Sequence, residues 1–94
     1  MQLNLALFRV MQETLTNVAR HANATIVNIK LRQTTNDLIL EIIDNGIGID
    51  ENKISSHKSI GIIGMRERMR QFNGRLEITS LQPKGTSVTV LVQL

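Results

Sequence analysis

The sequence predicts an α/β fold, a two-layer α/β sandwich in which helices cover one face of a mostly antiparallel sheet. Three observations carry that expectation. Two segments repeat apolar residues at helical spacing, and four others read as strands. Their order along the chain is αββαββ. One face of the strands is consistently apolar, which leaves the other to water. The 94 residues suit a single domain, 1–94, with one modest core.

From about Asn4 to Ala22, the residues Phe8, Met11, Leu15, Val18 and Ala22 predict an amphipathic first helix, with Asn23 as its stop. "TIVNIKLRQ" then alternates, placing Val27, Ile29 and Leu31 on one side of a half-buried strand and Asn28, Lys30 and Arg32 on the other. "TTN" (34–36) turns the chain into a second strand, "DLILEII". A polar stretch, "DENKISSHKS", leads to a second helix near 60 to 72 that packs through Ile62, Met65, Met69 and Phe72. It stops at Asn73-Gly74, where a residue with positive φ is usual. "RLEITS" and "TSVTVLVQL" supply the last two strands, joined through Pro83 and a turn at Gly85.

Composition bounds the function. With 41% hydrophobic and 20% charged residues the chain is an ordinary globular sequence, and its only aromatics are Phe8 and Phe72. No apolar run approaches the ~20 residues that span a membrane, and no signal-peptide pattern is present. The absence of cysteine excludes disulfides and cysteine–metal sites. A formal charge of +3 suits an anionic partner, whether nucleotide, nucleic acid or acidic protein.

Strand parity singles out two polar residues. Leu38, Leu40 and Ile42 share a face with Asp44, and Val88, Val90 and Val92 share a face with Thr86. If these even positions face the helices, a carboxylate and a hydroxyl point into the layer between sheet and helix, which is costly without hydrogen-bond donors. Either both are caps satisfied by nearby backbone N–H groups, or they floor a ligand site; parity leaves both open. On the first helix, Glu13, Asn17 and Arg20 form one stripe with His21 at its flank, roughly opposite the apolar residues. Such a stripe is either a solvated face with an i,i+4 pair or a pair of oxygen ligands for Mg²⁺ beside phosphate-binding N–H groups. Gly61 and Gly64 lie where the polar loop, with Lys53, His57 and Lys58, becomes a helix. That place suits a turn or an anion approaching the free N–H groups of a helix start.

In this order the segments resemble a known family. "QETLTNVARHA", "DNGIGI", "GIIGMRERM" and "KGTSVTV" are similar to the nucleotide-binding boxes of the superfamily that groups gyrase, the Hsp90 chaperone, sensor histidine kinases and mismatch-repair ATPases. The nearest likeness is to the ATP-binding catalytic domain of sensor histidine kinases, a Bergerat-type sandwich. Within these it resembles the nitrate-sensor-type subfamily, whose partner regulators carry helix-turn-helix output domains. The likeness runs from about residue 8 to residue 92.

The resemblance implies ATP and Mg²⁺ as ligands and assigns roles by position. Asp44 resembles the aspartate that accepts a hydrogen bond from the adenine amine, and Thr86 the threonine of the same network. Gly46 and Gly48 resemble the glycines that leave room for the base. Asn17 resembles the magnesium ligand. Glu13 resembles the acidic residue that positions a metal-bound water or acts as a base. Arg20 and His21 match the basic pair near the phosphates, and Gly61 and Gly64 the glycines at the end of the lid.

The sequence departs from a full kinase in having only His21 and His57, neither in a long helix that could carry a phosphoacceptor. It also opens almost inside the first helix, as an N-terminally truncated module would. The expectation is a cytoplasmic, monomeric module that binds Mg·ATP without its own substrate histidine. Its partners would be the dimerisation and phosphotransfer helices of a homodimeric, membrane-anchored or soluble parent and a downstream response regulator. Direct nucleic-acid or membrane contact by the module is not expected. Two other readings stand beside this one: an ATPase or anti-sigma serine kinase of the same superfamily, and a non-enzymatic binding module suggested by pI ≈ 10.0. Against the last, the chain has no aromatic platform and no dense Lys/Arg stripe.

Overall fold

The computed structural model describes residues 2–19, 24–47, 60–80 and 85–94. Along the chain run α1 (Leu3–Asn17), β1 (Val27–Gln33), β2 (Asp37–Asp44), α2 (Ile60–Arg70), β3 (Gly74–Ser80) and β4 (Thr86–Gln93). The strands form one antiparallel sheet in the order β1-β2-β4-β3, so two sequential hairpins join through β2 and β4. α1 packs on β2, α2 packs on β3, and the helices touch each other. This is the predicted two-layer sandwich. No described helix is long and apolar enough to cross a membrane.

The core lies between the layers, and parity builds it. Leu40 and Ile42 of β2, Leu76 of β3 and Val88, Val90 and Val92 of β4 are buried against Ala6 and Val10 of α1 and Ile62, Met65 and Met69 of α2. Each large aliphatic side chain removed from water contributes about 1.5–3 kcal/mol, which the central pair of strands concentrates on one face. The turn at 34–36 closes as expected: the Thr34 and Asp37 backbones bond at 2.8 Å, and the Asp37 N–H donates to Thr34 Oγ1 at 3.0 Å. α2 also ends as expected, with Asn73 at φ 58°. Gly74 follows because β3 starts hard against α2, where an added Cβ would lie 2.9 Å from the Met69 carbonyl oxygen.

Two expectations fail. The inward face of α1 is Ala6, Val10 and Thr14, whereas Phe8 and Leu15 are 51% and 36% exposed. α1 is apolar around most of its girth, so spacing alone could not choose a face. Small residues let the helix come close to the sheet. Thr14 can be buried because its hydroxyl donates to the Val10 carbonyl at 2.8 Å. In β1, Ile29 and Leu31 pair with Ile42 and Leu40 on the helical side, as alternation requires, but are 43% and 61% exposed rather than half-buried. β1 is an edge strand, and the helices pack mainly on β3 and β2. The α-helix ends at Asn17, and Val18 shares its N–H between the carbonyls of Thr14 and Leu15. Val18 keeps helical backbone angles, and the predicted continuation from residue 20 to Ala22 and the stop at Asn23 lie outside the described residues.

Candidate functional site

β2 ends where β4 begins, and their register sets Asp44 directly opposite Thr86. Both residues have the parity of the buried core positions, and they are 5% and 9% exposed. Side chains opposed in this way on one face have Cβ atoms about 4.5–5.5 Å apart. A carboxylate and a hydroxyl therefore share one polar patch at the rim of an apolar layer, as parity predicted.

A buried carboxylate needs donors. Asp44 Oδ1 accepts the Gly46 N–H at 2.8 Å, in a tight turn that brings the backbone back over the acid. Gly46 is itself buried. Among the described residues the capping explanation accounts for one bond, while a carboxylate has about four acceptor positions.

Gly85 holds the other side of this patch. Its φ of 117° is a conformation that side chains rarely adopt, and a Cβ there would collide with the Asp44 carbonyl oxygen. The start of β4 can approach the end of β2 only because position 85 is bare. Sequence reasoning took Gly85 as a turn residue. Its signal was the "KGT" box, but close approach depends on which strands are neighbours, and that was not predicted. Asn45 was missed as well. Its backbone N–H and side-chain amide bind the strand end to residues 25 and 26.

Correcting the face of α1 moves the second group of candidates. Taking the direction of Val10 as inward, Asn17 lies about 20° and Glu13 about 60° from it at 100° per residue. The stripe is not on the helix's back; it continues the buried face toward the helix C-terminus. Glu13 is half-buried and Asn17 exposed. Beyond Asn17 the chain returns to the Asp44 end of the sheet, since β1 begins with Val27 opposite Asp44. Arg20, His21 and Gly48 lie outside the described residues, as do Lys53, His57 and Lys58.

Gly61 and Gly64 fall in the first turns of α2, as expected. Gly64 is exposed, and a Cβ added to it would meet nothing within 4 Å. Packing among the described residues gives no reason for glycine at that position, whereas an external group approaching the backbone would.

Residues 2–94 match the family described as "Histidine kinase-, DNA gyrase B-, and HSP90-like ATPase". Over 94 residues the chain is 38% identical to the sensor histidine kinase ComP of Bacillus subtilis (strain 168), covering 99% of this chain and 12% of that protein. It is 37% identical over 95 residues to the signal transduction histidine-protein kinase/phosphatase DegS of the same organism, covering 99% of this chain and 25% of that one. Among solved structures it superimposes on the Acinetobacter baumannii histidine kinase AdeS with a TM-score of 0.78, at 18% identity over 94% of this chain and 45% of that one. The histidine kinase domain of the blue-light activated kinase from Erythrobacter litoralis EL346 gives a TM-score of 0.79, at 22% identity over 95% of this chain and 43% of that one. These two likenesses establish the fold. The chain belongs to the family of histidine kinase-, DNA gyrase B- and HSP90-like ATPases, as the ATP-binding domain found in sensor histidine kinases. It spans only 12% and 25% of the two Bacillus relatives.

ATP with Mg²⁺ is the ligand pair of such a domain, and the described residues fit it. The buried Asp44 carboxylate, which takes one donor among the described residues, lies beside the Thr86 hydroxyl and suits a ligand that brings its own N–H donor. Asn17 and Glu13 offer two oxygens one helical turn apart. No group of three or more His, Cys, Asp or Glu side chains is assembled among the described residues. A metal ion here would therefore rely on one or two protein oxygens plus phosphates and water, which is how Mg²⁺ is commonly held.

Proposed function

We propose that this chain is the catalytic domain of a two-component sensor kinase and moves the γ-phosphoryl group of ATP to a histidine outside these residues. The observation that carries the proposal is the inward carboxylate of Asp44 at the strand end, with Thr86 beside it. Asp44 accepts a hydrogen bond from the adenine amine, and Thr86 joins the same network. Gly46 and Gly48 keep the strand exit clear for the base.

Phosphoryl transfer asks a protein mainly for positioning and charge neutralisation. Asn17 would offer its amide oxygen to Mg²⁺, and Glu13 would orient a water at that site. When bound, the metal neutralises phosphate charge during transfer. Arg20 and His21 supply N–H donors to phosphate oxygens, and the backbone at Gly61 and Gly64 lets the phosphates approach the start of α2. The domain's partners are then the dimerisation helices of a homodimeric parent and a response regulator, and its compartment is the cytoplasm, where ATP is supplied. Its "GMRERM" segment supports placing it beside the nitrate-sensor-type kinases.

Titration with Mg·ATP tests the site. Binding should weaken by at least about tenfold in Asp44→Ala, and affinity unchanged by that substitution would refute the base-reading role. Adding the dimerisation helices of the parent in trans tests the reaction. Phosphate should appear on a histidine, and release of free phosphate alone would mark an ATPase instead.

A further inference from the structure

Asn45 sits between the acid and the glycine of the strand-end turn, and its side chain does not take part in that turn. Instead its Oδ1 accepts the N–H groups of Thr25 at 2.9 Å and Ile26 at 3.0 Å, while its Nδ2 donates to Thr25 Oγ1 at 2.9 Å. Its own backbone N–H donates to the Ile26 carbonyl at 3.2 Å, just before β1 begins at Val27. One amide therefore occupies three partners on a segment 19 and 20 residues away in sequence. All of this lies at exposed positions, where a hydrogen bond adds little to folding and water would satisfy the same groups. Burial does not explain so complete a tether.

Position explains it better. Thr25 and Ile26 end the connection that leaves α1, the helix bearing Glu13 and Asn17, and Arg20 and His21 fall within that connection in sequence. Asp44 has its own supports, in the pairing with Thr86 and the Gly46 bond. Resting on the nucleotide-site reading above, we infer that Asn45 is a positioning residue. It pins the α1–β1 connection to the base-reading strand end, so that the phosphate-side and base-side groups are held in one frame.

Such a role separates two ligands. Adenosine uses the base side alone, whereas Mg·ATP needs both sides in register. In Asn45→Ala, affinity for Mg·ATP should fall about tenfold and that for adenosine by no more than about twofold, since only the former needs the ordering of a second segment. Thr25→Val removes one of the three side-chain bonds and should weaken Mg·ATP about two- to threefold. Combined with Asn45→Ala it should add nothing, because both act through one network. An equal loss for the two ligands, no loss for either, or additive effects in the double variant would overturn the proposal. Should Asn45→Ala fail to fold, the Thr25→Val ratio of Mg·ATP to adenosine affinity decides alone: a selective loss supports the tether and an unchanged ratio rejects it. Asp44→Ala run alongside keeps the two readings apart. If it retains both ligands the site itself is wrong, whereas loss there with an unchanged Asn45→Ala refutes the tether only.

Discussion

β2 begins and ends with an aspartate, and each lies opposite a polar residue of β4: Asp37 faces Gln93 and Asp44 faces Thr86. Seven positions separate them, so they point to opposite sides of the sheet. Asp37 lies on the open side, only half-buried, beside a shallow hollow of about 450 Å³ lined also by Arg75, Leu91 and Gln93. Its backbone, not its carboxylate, closes the turn with Thr34. Asp44 points into the helical layer, is nearly inaccessible, and receives a donor from its own turn. The same residue type at two ends of one strand is thus a turn-facing surface acid in one case and a buried acceptor in the other. What separates them is parity, and parity is fixed by the sheet.

The sharpest break in that comparison is substitution of each acid in turn. Asp44→Ala should weaken Mg·ATP roughly ten- to hundredfold, the range for a charge-assisted hydrogen bond of about 1.5–3 kcal/mol, as read by calorimetric titration. Asp37→Ala should leave the affinity unchanged and alter stability by about 0.5 kcal/mol or less. Next in size is Gly85→Ala, which forces a side chain into a positive-φ position and against the Asp44 backbone. It should cost about 1–3 kcal/mol of stability, which in a domain of this size lowers the thermal midpoint by roughly 4–8 °C per kcal/mol.

Thr86→Val keeps the shape and removes the hydroxyl beside Asp44. Mg·ATP affinity should fall by a few-fold, corresponding to about 0.5–1.5 kcal/mol for one neutral hydrogen bond, while Gln93→Ala at the other end of β4 does nothing to binding. The smallest effect is expected at Gly64. Its replacement by Ala meets no neighbour among the described residues and should raise the stability of the ligand-free domain by up to about 1 kcal/mol through helix propensity. Weaker Mg·ATP binding by that same variant would show that the bare backbone serves the ligand and not the fold.

The sequence made the sheet legible and the first helix much less so. In "DLILEIID" and "TSVTVLVQ" the even positions between the ends are all apolar while the odd ones are mixed, so one face was favoured for burial and Asp44 and Thr86 shared its parity before their neighbours were known. Asn73 was legible because a helix stop with positive φ tolerates few residue types. The face of α1 was hidden because Leu3, Leu5, Ala6, Leu7, Phe8, Val10 and Met11 surround the axis. The deciding feature was Thr14, a polar residue whose hydroxyl is satisfied within the helix. That error carried over to Glu13 and Asn17, which had to be moved from the back of the helix to its inward side. Strand order was hidden too. The pairing of β2 with β4 brings Asp44 together with Gly85 and Thr86, 41 and 42 residues further along, and nothing local encodes it.

Following backbone amide signals of the domain as Mg·ATP is added tests the central claim most directly. The resonances of Asp44 to Gly46, Gly85 and Thr86 should shift together and saturate, while those of Asp37, Asn73, Arg75 and Gln93 stay in place. Shifts confined to the Asp37 end, or none at either end at millimolar nucleotide, would contradict it.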